Sequence, residues 1–131
     1  MAKISLEAAG RTLVLRYDIQ CMLDIEETCG TMDDAQKRMA GKGGKRAETV
    51  LAVLCAMVNA GQRHEGKEPD VTVDWLRDNL TPAQFERARV LIQQAIIVGM
   101  QRECAADDDR EVDAVLEELR KKKEQNSPGK R

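Results

Sequence analysis

The chain opens on two short stretches in which apolar and polar residues alternate. Residues 3–7 place Ile4 and Leu6 on one face, and residues 12–17 repeat the alternation. A period of two residues is typical of a strand with one buried face. Gly10 lies between the stretches, in a turn of residues 8–11 that needs a positive φ angle. The pattern therefore predicts an N-terminal two-stranded β-hairpin.

The rest of the chain follows the period of helices. Asp18 is a suitable N-cap for a first helix that ends at Gly30. Its predicted apolar stripe consists of Ile19, Met22, Leu23 and Ile25. Further helices are predicted over residues 32–39, 48–60, 72–80 and from residue 82 towards 104. Thr31 is the cap of the first of these, and Gly61 closes the second. The last of these begins with a Thr81 to Gln84 capping box.

The C-terminal part has a segregated charge pattern. Residues 107–118 carry seven acids and one base, whereas residues 119–131 carry six bases and one acid. Acids before bases complement the helix dipole, so a charged helix is expected. We expect a hairpin plus helical domain over residues 1–105, a charged helix over 106–125 and a disordered tail over 126–131.

The composition indicates an aliphatic core. The chain has 131 residues, 42% of them apolar, and only three aromatic side chains. Few aromatics favour helices over a β-sandwich. The predicted fold class is α+β, mainly α, with a two-stranded β-hairpin packed on a small bundle of about five helices. The longest apolar run, residues 50–58, is too short to cross a membrane, and without a visible targeting signal a cytoplasmic location is expected.

Motifs for chemistry are weak. The four cysteines form no C-x-x-C pair and only one histidine, His64, is present, so we expect no metal site. Residues 41–46 depart from a phosphate-binding loop because Arg46 stands where Ser or Thr is needed. Asp107–Asp109 lacks the ligand spacing of an EF-hand. We therefore expect neither an enzyme nor a cofactor.

Residues 37–46 contain five basic residues and no acid, which predicts a mobile, cationic loop. This loop and the basic tail support one candidate function, that of a small DNA-associated protein in packaging or regulation. The net charge of -2 disfavours nucleic acid as a partner, because dedicated DNA-binding proteins are usually basic.

The order of elements resembles the tail assembly chaperones of long-tailed bacteriophages and prophages. The resemblance rests on the hairpin, residues 3–6 and 10–18, and on the first helix end, residues 23–30. The same order then continues with a largely apolar helix, a polar loop, a short helix beginning Val73-Asp74-Trp75-Leu76 and a long helix. The resemblance covers about residues 3 to 104. This chain extends the turn after the first helix by the basic glycine-rich loop.

The resemblance implies a non-enzymatic role. Such chaperones bind the long, helical, hydrophobic tape-measure protein and keep it soluble while tail tube protein polymerises around it. It also implies a location in the host cytoplasm and absence from the mature virion.

Partner binding and self-association are expected on apolar stripes and on the open hairpin edges. The candidate partner-binding residues are Leu13, Leu15, Tyr17, Val112, Val115, Leu116 and Leu119.

Overall fold

The computed structural model describes residues 3–105, with side chains described for residues 3–101. Two strands, β1 (Ser5–Ala8) and β2 (Arg11–Val14), precede five helices. The helices are α1 (Ile19–Cys29), α2 (Met32–Ala40), α3 (Gly44–His64), α4 (Val73–Asn79) and α5 (Pro82–Ala105). The fold is therefore α+β and mainly α, as the sequence predicts. The predicted charged helix and tail lie outside the described residues. Residues 1–99 form one unit of the chain, and the following description concerns that unit.

The hairpin has a tighter turn than the sequence pattern predicts. Ala8 pairs with Arg11 as the last step of the antiparallel ladder, so the turn contains only two residues. These are Ala9 and Gly10, with φ angles of 51° and 76°. Positive φ at both central positions is the geometry of a type I′ turn, which matches the twist of the two strands.

The chain segment that continues β2 lies directly against α3. Leu15 donates its backbone N–H to Ile4 across the hairpin (2.8 Å), so the backbone groups of Val14 and Arg16 face the other way. Arg16 donates its N–H to the Met57 carbonyl of α3 (3.1 Å). An added Cβ at Gly61 would overlap the Val14 carbonyl oxygen. A glycine one turn after Met57 thus leaves room for the strand and uncovers the Met57 carbonyl.

A second glycine receives the end of the same segment. An added Cβ at Gly99 would overlap the Tyr17 carbonyl oxygen, and it would lie 3.0 Å from the Tyr17 Cβ. Gly99 belongs to α5, so residues 14–17 are in close backbone contact with two different helices. The hairpin is therefore fixed to the helices through main-chain contacts as well as through its side chains.

Helix α3 is the central element of the core. Val50, Val53, Leu54, Met57 and Val58 have no exposed surface. The helix is longer at both ends than the sequence pattern predicts. The prediction that Gly61 closes it is wrong, because α3 continues to His64. Gly61 serves the close approach of β2 and not the end of the helix.

The apolar stripe of α1 is also different from the predicted one. Cys21, Ile25 and Cys29 are buried, at a spacing of four residues. Ile19 and Leu23 are 54% and 49% exposed, so their predicted place in the buried stripe is wrong. Two small cysteines let α1 approach α3 closely, and they act as apolar core residues.

The helix caps follow the sequence signals. The Asp18 side chain accepts a hydrogen bond from the Cys21 N–H (2.9 Å), and Thr31 forms a capping box with Asp34. Thr81 and Gln84 form the predicted capping box at α5, with Gln84 N–H donating to Thr81 Oγ1 (3.1 Å).

The loop after α3 is joined to the hairpin by exposed charges. Lys3 pairs with Glu65 (2.9 Å) and Arg11 pairs with Asp70 (2.9 Å). Hydrogen bonding by Lys3 and its positive charge lower the pKa of Glu65. Hydrogen bonds from Gln62 and then Arg11 lower the pKa of Asp70.

We predict that Gly61→Ala destabilises the protein by about 3 kcal/mol, because the methyl group displaces the strand and breaks the Arg16–Met57 hydrogen bond. Gly44→Ala is the matched control in the same helix, where an added Cβ meets nothing within 4 Å. That change should be neutral or stabilise by up to about 1 kcal/mol. Urea denaturation measures both, and equal stability of the two variants would contradict the proposed role of Gly61.

Candidate partner-binding groove

An open groove of about 530 Å³ lies between α2 and α5. Met39 and Ala40 line it from α2, and Val90 and Ile97 line it from α5. Val90 is 57% exposed and Ile97 is 56% exposed. We call this the α2–α5 groove. It presents aliphatic side chains to solvent on the outside of an otherwise well-buried core.

The exposure of Val90 and Ile97 follows from the orientation of α5. Ala88, Ile92, Ala95 and Gly99 recur every three or four residues, and all four are buried. This stripe turns one side of α5 inward, and it ends at the contact between Gly99 and Tyr17. Residues 90, 93, 94 and 97 lie on the opposite side, because a helix turns by about 100° per residue.

Two glutamines bridge the groove. Gln36 Nε2 donates to Gln93 Oε1 (2.9 Å), and Gln93 Nε2 donates to Gln36 Oε1 (2.8 Å). Each side-chain amide has two N–H donors and two acceptor lone pairs, so each keeps hydrogen-bonding capacity for a ligand. The neighbouring Gln94 also lines the groove. Its lining therefore combines apolar side chains with neutral amides.

The charged residues of the groove lie towards the start of α5. Glu86 pairs with Arg89 in the next turn (2.9 Å) and approaches Arg46 of α3 (4.0 Å). The Arg46 guanidinium also lies over the Phe85 ring, 5.8 Å from its centre. Between Val90 and Ile97 the outward side of α5 carries only the two glutamines. This central part of the face is electrically neutral.

The sequence-predicted binding residues lie elsewhere. Leu13, Leu15 and Tyr17 are only 2%, 4% and 8% exposed, so in the folded protein they belong to the core and not to an accessible surface. Val112, Val115, Leu116 and Leu119 lie outside the described residues. The sequence prediction does not include Val90 and Ile97. A signal for them exists, because their spacing of seven residues places both on one side of a helix, opposite the side that carries Ala88, Ile92 and Ala95.

The two edges of the hairpin differ. Just after β2, the Arg16 N–H is bonded to the Met57 carbonyl of α3, so the expectation that both edges of the hairpin are open is wrong on this side. On β1, the Glu7 carbonyl accepts a hydrogen bond from Gln84 Nε2 (2.8 Å). Within residues 3–105, β1 pairs with no strand other than β2.

The predicted cationic loop is largely helical. Lys37 and Arg38 lie in the last turn of α2, and Lys45 and Arg46 lie in the first turn of α3, so only residues 41–43 connect the helices. Lys37 pairs with Asp33 (3.3 Å), and Arg46 approaches Glu86. The carboxylates in these contacts neutralise part of the positive charge that would be needed to bind a polyanion such as nucleic acid.

The cysteines have structural surroundings. Burial, and next the negative charges of Asp18 and Asp24, raise the pKa of the Cys21 thiol to about 12. Burial also raises the pKa of Cys55, whose Sγ donates to the Val71 carbonyl (3.3 Å). Cys21, Cys29 and Cys55 are free thiols. No group of three metal-binding side chains occurs among the described residues.

Comparison of the chain with protein-family models, curated proteins and solved structures finds no match. Within the part of the chain that the structure describes, no helix is long and apolar enough to cross a membrane.

We predict that the free energy of unfolding falls as the pH rises from about 9 towards 12. The unfolded Cys21 thiol loses its proton near its ordinary pKa of 9.0, whereas the folded thiol keeps it up to about 12. Since the unfolded state then binds fewer protons, the slope from this group approaches about 1.4 kcal/mol per pH unit.

Urea denaturation of the natural protein and of Cys21→Ala from pH 7 to 11 measures this effect. The variant should be less stable at pH 7 but lose less stability above pH 9, while the two slopes agree below pH 8. Parallel curves over the whole range would contradict the role of Cys21.

Proposed function

We propose that this protein is a non-enzymatic tail assembly chaperone of a long-tailed bacteriophage or prophage. It binds an apolar helical segment of the tape-measure protein and keeps that protein soluble while tail tube protein assembles around it. The observation that supports the proposal is the α2–α5 groove, an open apolar surface on a rigid helical scaffold. The order of hairpin and helices, which resembles that of this chaperone family, supplies the biological setting.

The dimensions of the groove suit a helix. Val90 and Ile97 lie on one side of α5 and are about 10 Å apart along its axis, at 1.5 Å per residue. A helix that docks in a groove places apolar anchors at similar intervals along one face. Met39 and Ala40 line the opposite wall, but Met39 is only 5% exposed, so Val90 and Ile97 supply most of the accessible apolar surface.

The lining suits a client whose sequence varies along its length. The Gln36–Gln93 pair can accept or donate hydrogen bonds, so a polar client side chain can enter without being left unpaired. No charged side chain of α5 lies between Val90 and Ile97, so the groove does not select client segments by the sign of their charge. These properties favour binding of many similar apolar helical segments over recognition of one sequence.

The walls of the groove are held in place before a client binds. The inward side of α5 is buried, and Gly99 is in contact with the Tyr17 backbone. A preformed surface lowers the entropic cost of association. The proposal places the protein in the host cytoplasm and outside the mature virion, because its work ends when the tube encloses the tape-measure protein.

We predict that co-expression keeps the tape-measure protein soluble and that Ile97→Ser weakens this effect. The client to test is the long, coiled-coil-rich protein encoded downstream of the chaperone gene. Loss of one aliphatic anchor should lower affinity about 10-fold, the equivalent of about 1.4 kcal/mol. The measurements are the soluble fraction of the client and its retention on the tagged chaperone.

Ile19→Ser is the matched control, because Ile19 is 54% exposed on α1 and lies outside the groove lining. This variant should retain the client as the natural protein does. Equal retention by all three proteins would contradict client binding in the groove. Insolubility of the client with the natural protein would contradict the proposed function itself.

A further inference from the structure

The outward side of α5 has a self-complementary order of residues. Val90, Gln93, Gln94 and Ile97 are all exposed and lie on one side of the helix. Read in either direction, the order is apolar, amide, amide, apolar. A second helix of the same sequence, laid antiparallel, would set Val90 opposite Ile97 and Gln93 opposite Gln94.

From this pattern we propose that the α2–α5 groove is the interface of a two-fold symmetric dimer, in which α5 of each copy lies in the groove of the other. The two-fold axis passes between Gln93 and Gln94. Such an interface uses the same patch on both partners, as closed dimers do. The dimer does not depend on the proposed client.

Side-chain chemistry favours a second copy in this groove. Each Val90 and each Ile97 gains an apolar neighbour, so four exposed aliphatic side chains leave water at once. The Gln94 amide meets the Gln93 amide of the other copy, and both retain donors and acceptors for that contact. No buried polar group is left without a partner at the axis.

Charge also favours the antiparallel arrangement. The charged residues Glu86 and Arg89 are already paired with each other (2.9 Å) and lie away from the axis. Neither copy therefore presents an unpaired like charge at the centre of the contact.

The dimer would be a weak one. Each copy contributes two exposed aliphatic side chains of α5 together with the exposed Ala40 of α2, whereas Met39 is already buried. A contact of this size belongs to the small, reversible class of protein interfaces. Because the dimer and a client helix would occupy one surface, client binding should displace the second copy.

We predict that the purified protein alone shows a concentration-dependent monomer–dimer equilibrium in sedimentation analysis between about 10 μM and 1 mM. Ile97→Glu should weaken association at least about 10-fold, because symmetry places the change at two points of the interface. Ile19→Glu is the matched control, with the same substitution at equal exposure, and should dimerise normally. Far-ultraviolet circular dichroism confirms that each variant is folded.

A charge exchange tests the arrangement of the two helices. Val90→Lys alone should weaken the dimer, whereas the double variant Val90→Lys with Ile97→Glu should restore it, because each lysine then faces a glutamate of the other copy. A parallel pair would oppose like charges and would not recover. The double variant should still fail to retain the tape-measure protein, because both substitutions put charges in the apolar groove. Dimer formation and client binding are therefore measured separately.

Three results would overturn the dimer: a strict monomer up to about 1 mM, loss of association in Ile19→Glu equal to that in Ile97→Glu, or no recovery in the double variant. Failure of the natural protein to retain the client, while it still forms the dimer, would contradict only the proposed function.

Discussion

The structure depends on one constraint, the backbone contact of residues 14–17 with two helices. A hairpin alone leaves N–H and C=O groups at its edges, and leaving such a group buried without a partner costs about 1–3 kcal/mol. The Arg16 N–H is paired with the Met57 carbonyl in the middle of α3 (3.1 Å). This pairing is possible because Gly61 presents no side chain where the strand passes. A strand edge that would otherwise be open is thereby joined to the most buried helix.

The same constraint determines where the functional surface lies. The second contact, between Tyr17 and Gly99, turns the stripe of Ala88, Ile92 and Ala95 towards the core. Once this side of α5 faces inward, Val90 and Ile97 must face outward, beside Met39 of α2. The α2–α5 groove is thus a consequence of how the hairpin seats the last helix. Both proposed occupants, a client helix and a second copy, use an apolar face that the core itself does not cover.

Local signals in the sequence predict local structure well. The alternating residues of the hairpin, the Asp18 cap and the Thr81–Gln84 capping box all act over a few residues, and the structure contains each of them. The local signal is misleading at Gly61, where the sequence predicts a helix end but α3 continues to His64. A glycine required by a distant strand is indistinguishable, in one sequence, from a glycine that terminates a helix.

The candidate site was harder to predict for a related reason. Leu13, Leu15 and Tyr17 are apolar residues of a short hairpin, and only the helices packed over them show that they are core residues. On α5, apolar residues occur on both sides, so periodicity alone does not separate the buried side from the exposed one. The distinction needs the position of α2 and of Tyr17, which are tertiary facts. The same holds for α1, where small cysteines, rather than Ile19 and Leu23, fill the core.

Amide hydrogen exchange at Arg16, measured by nuclear magnetic resonance, tests most directly whether the strand is joined to α3. If the Arg16 N–H is held by the Met57 carbonyl, it should exchange as slowly as amides in the middle of α3, such as that of Leu54, and open only with global unfolding. Exchange at the rate of the loop residue Glu68 would show that residues 14–17 are not fixed to the helix, and would contradict the constraint on which the groove depends.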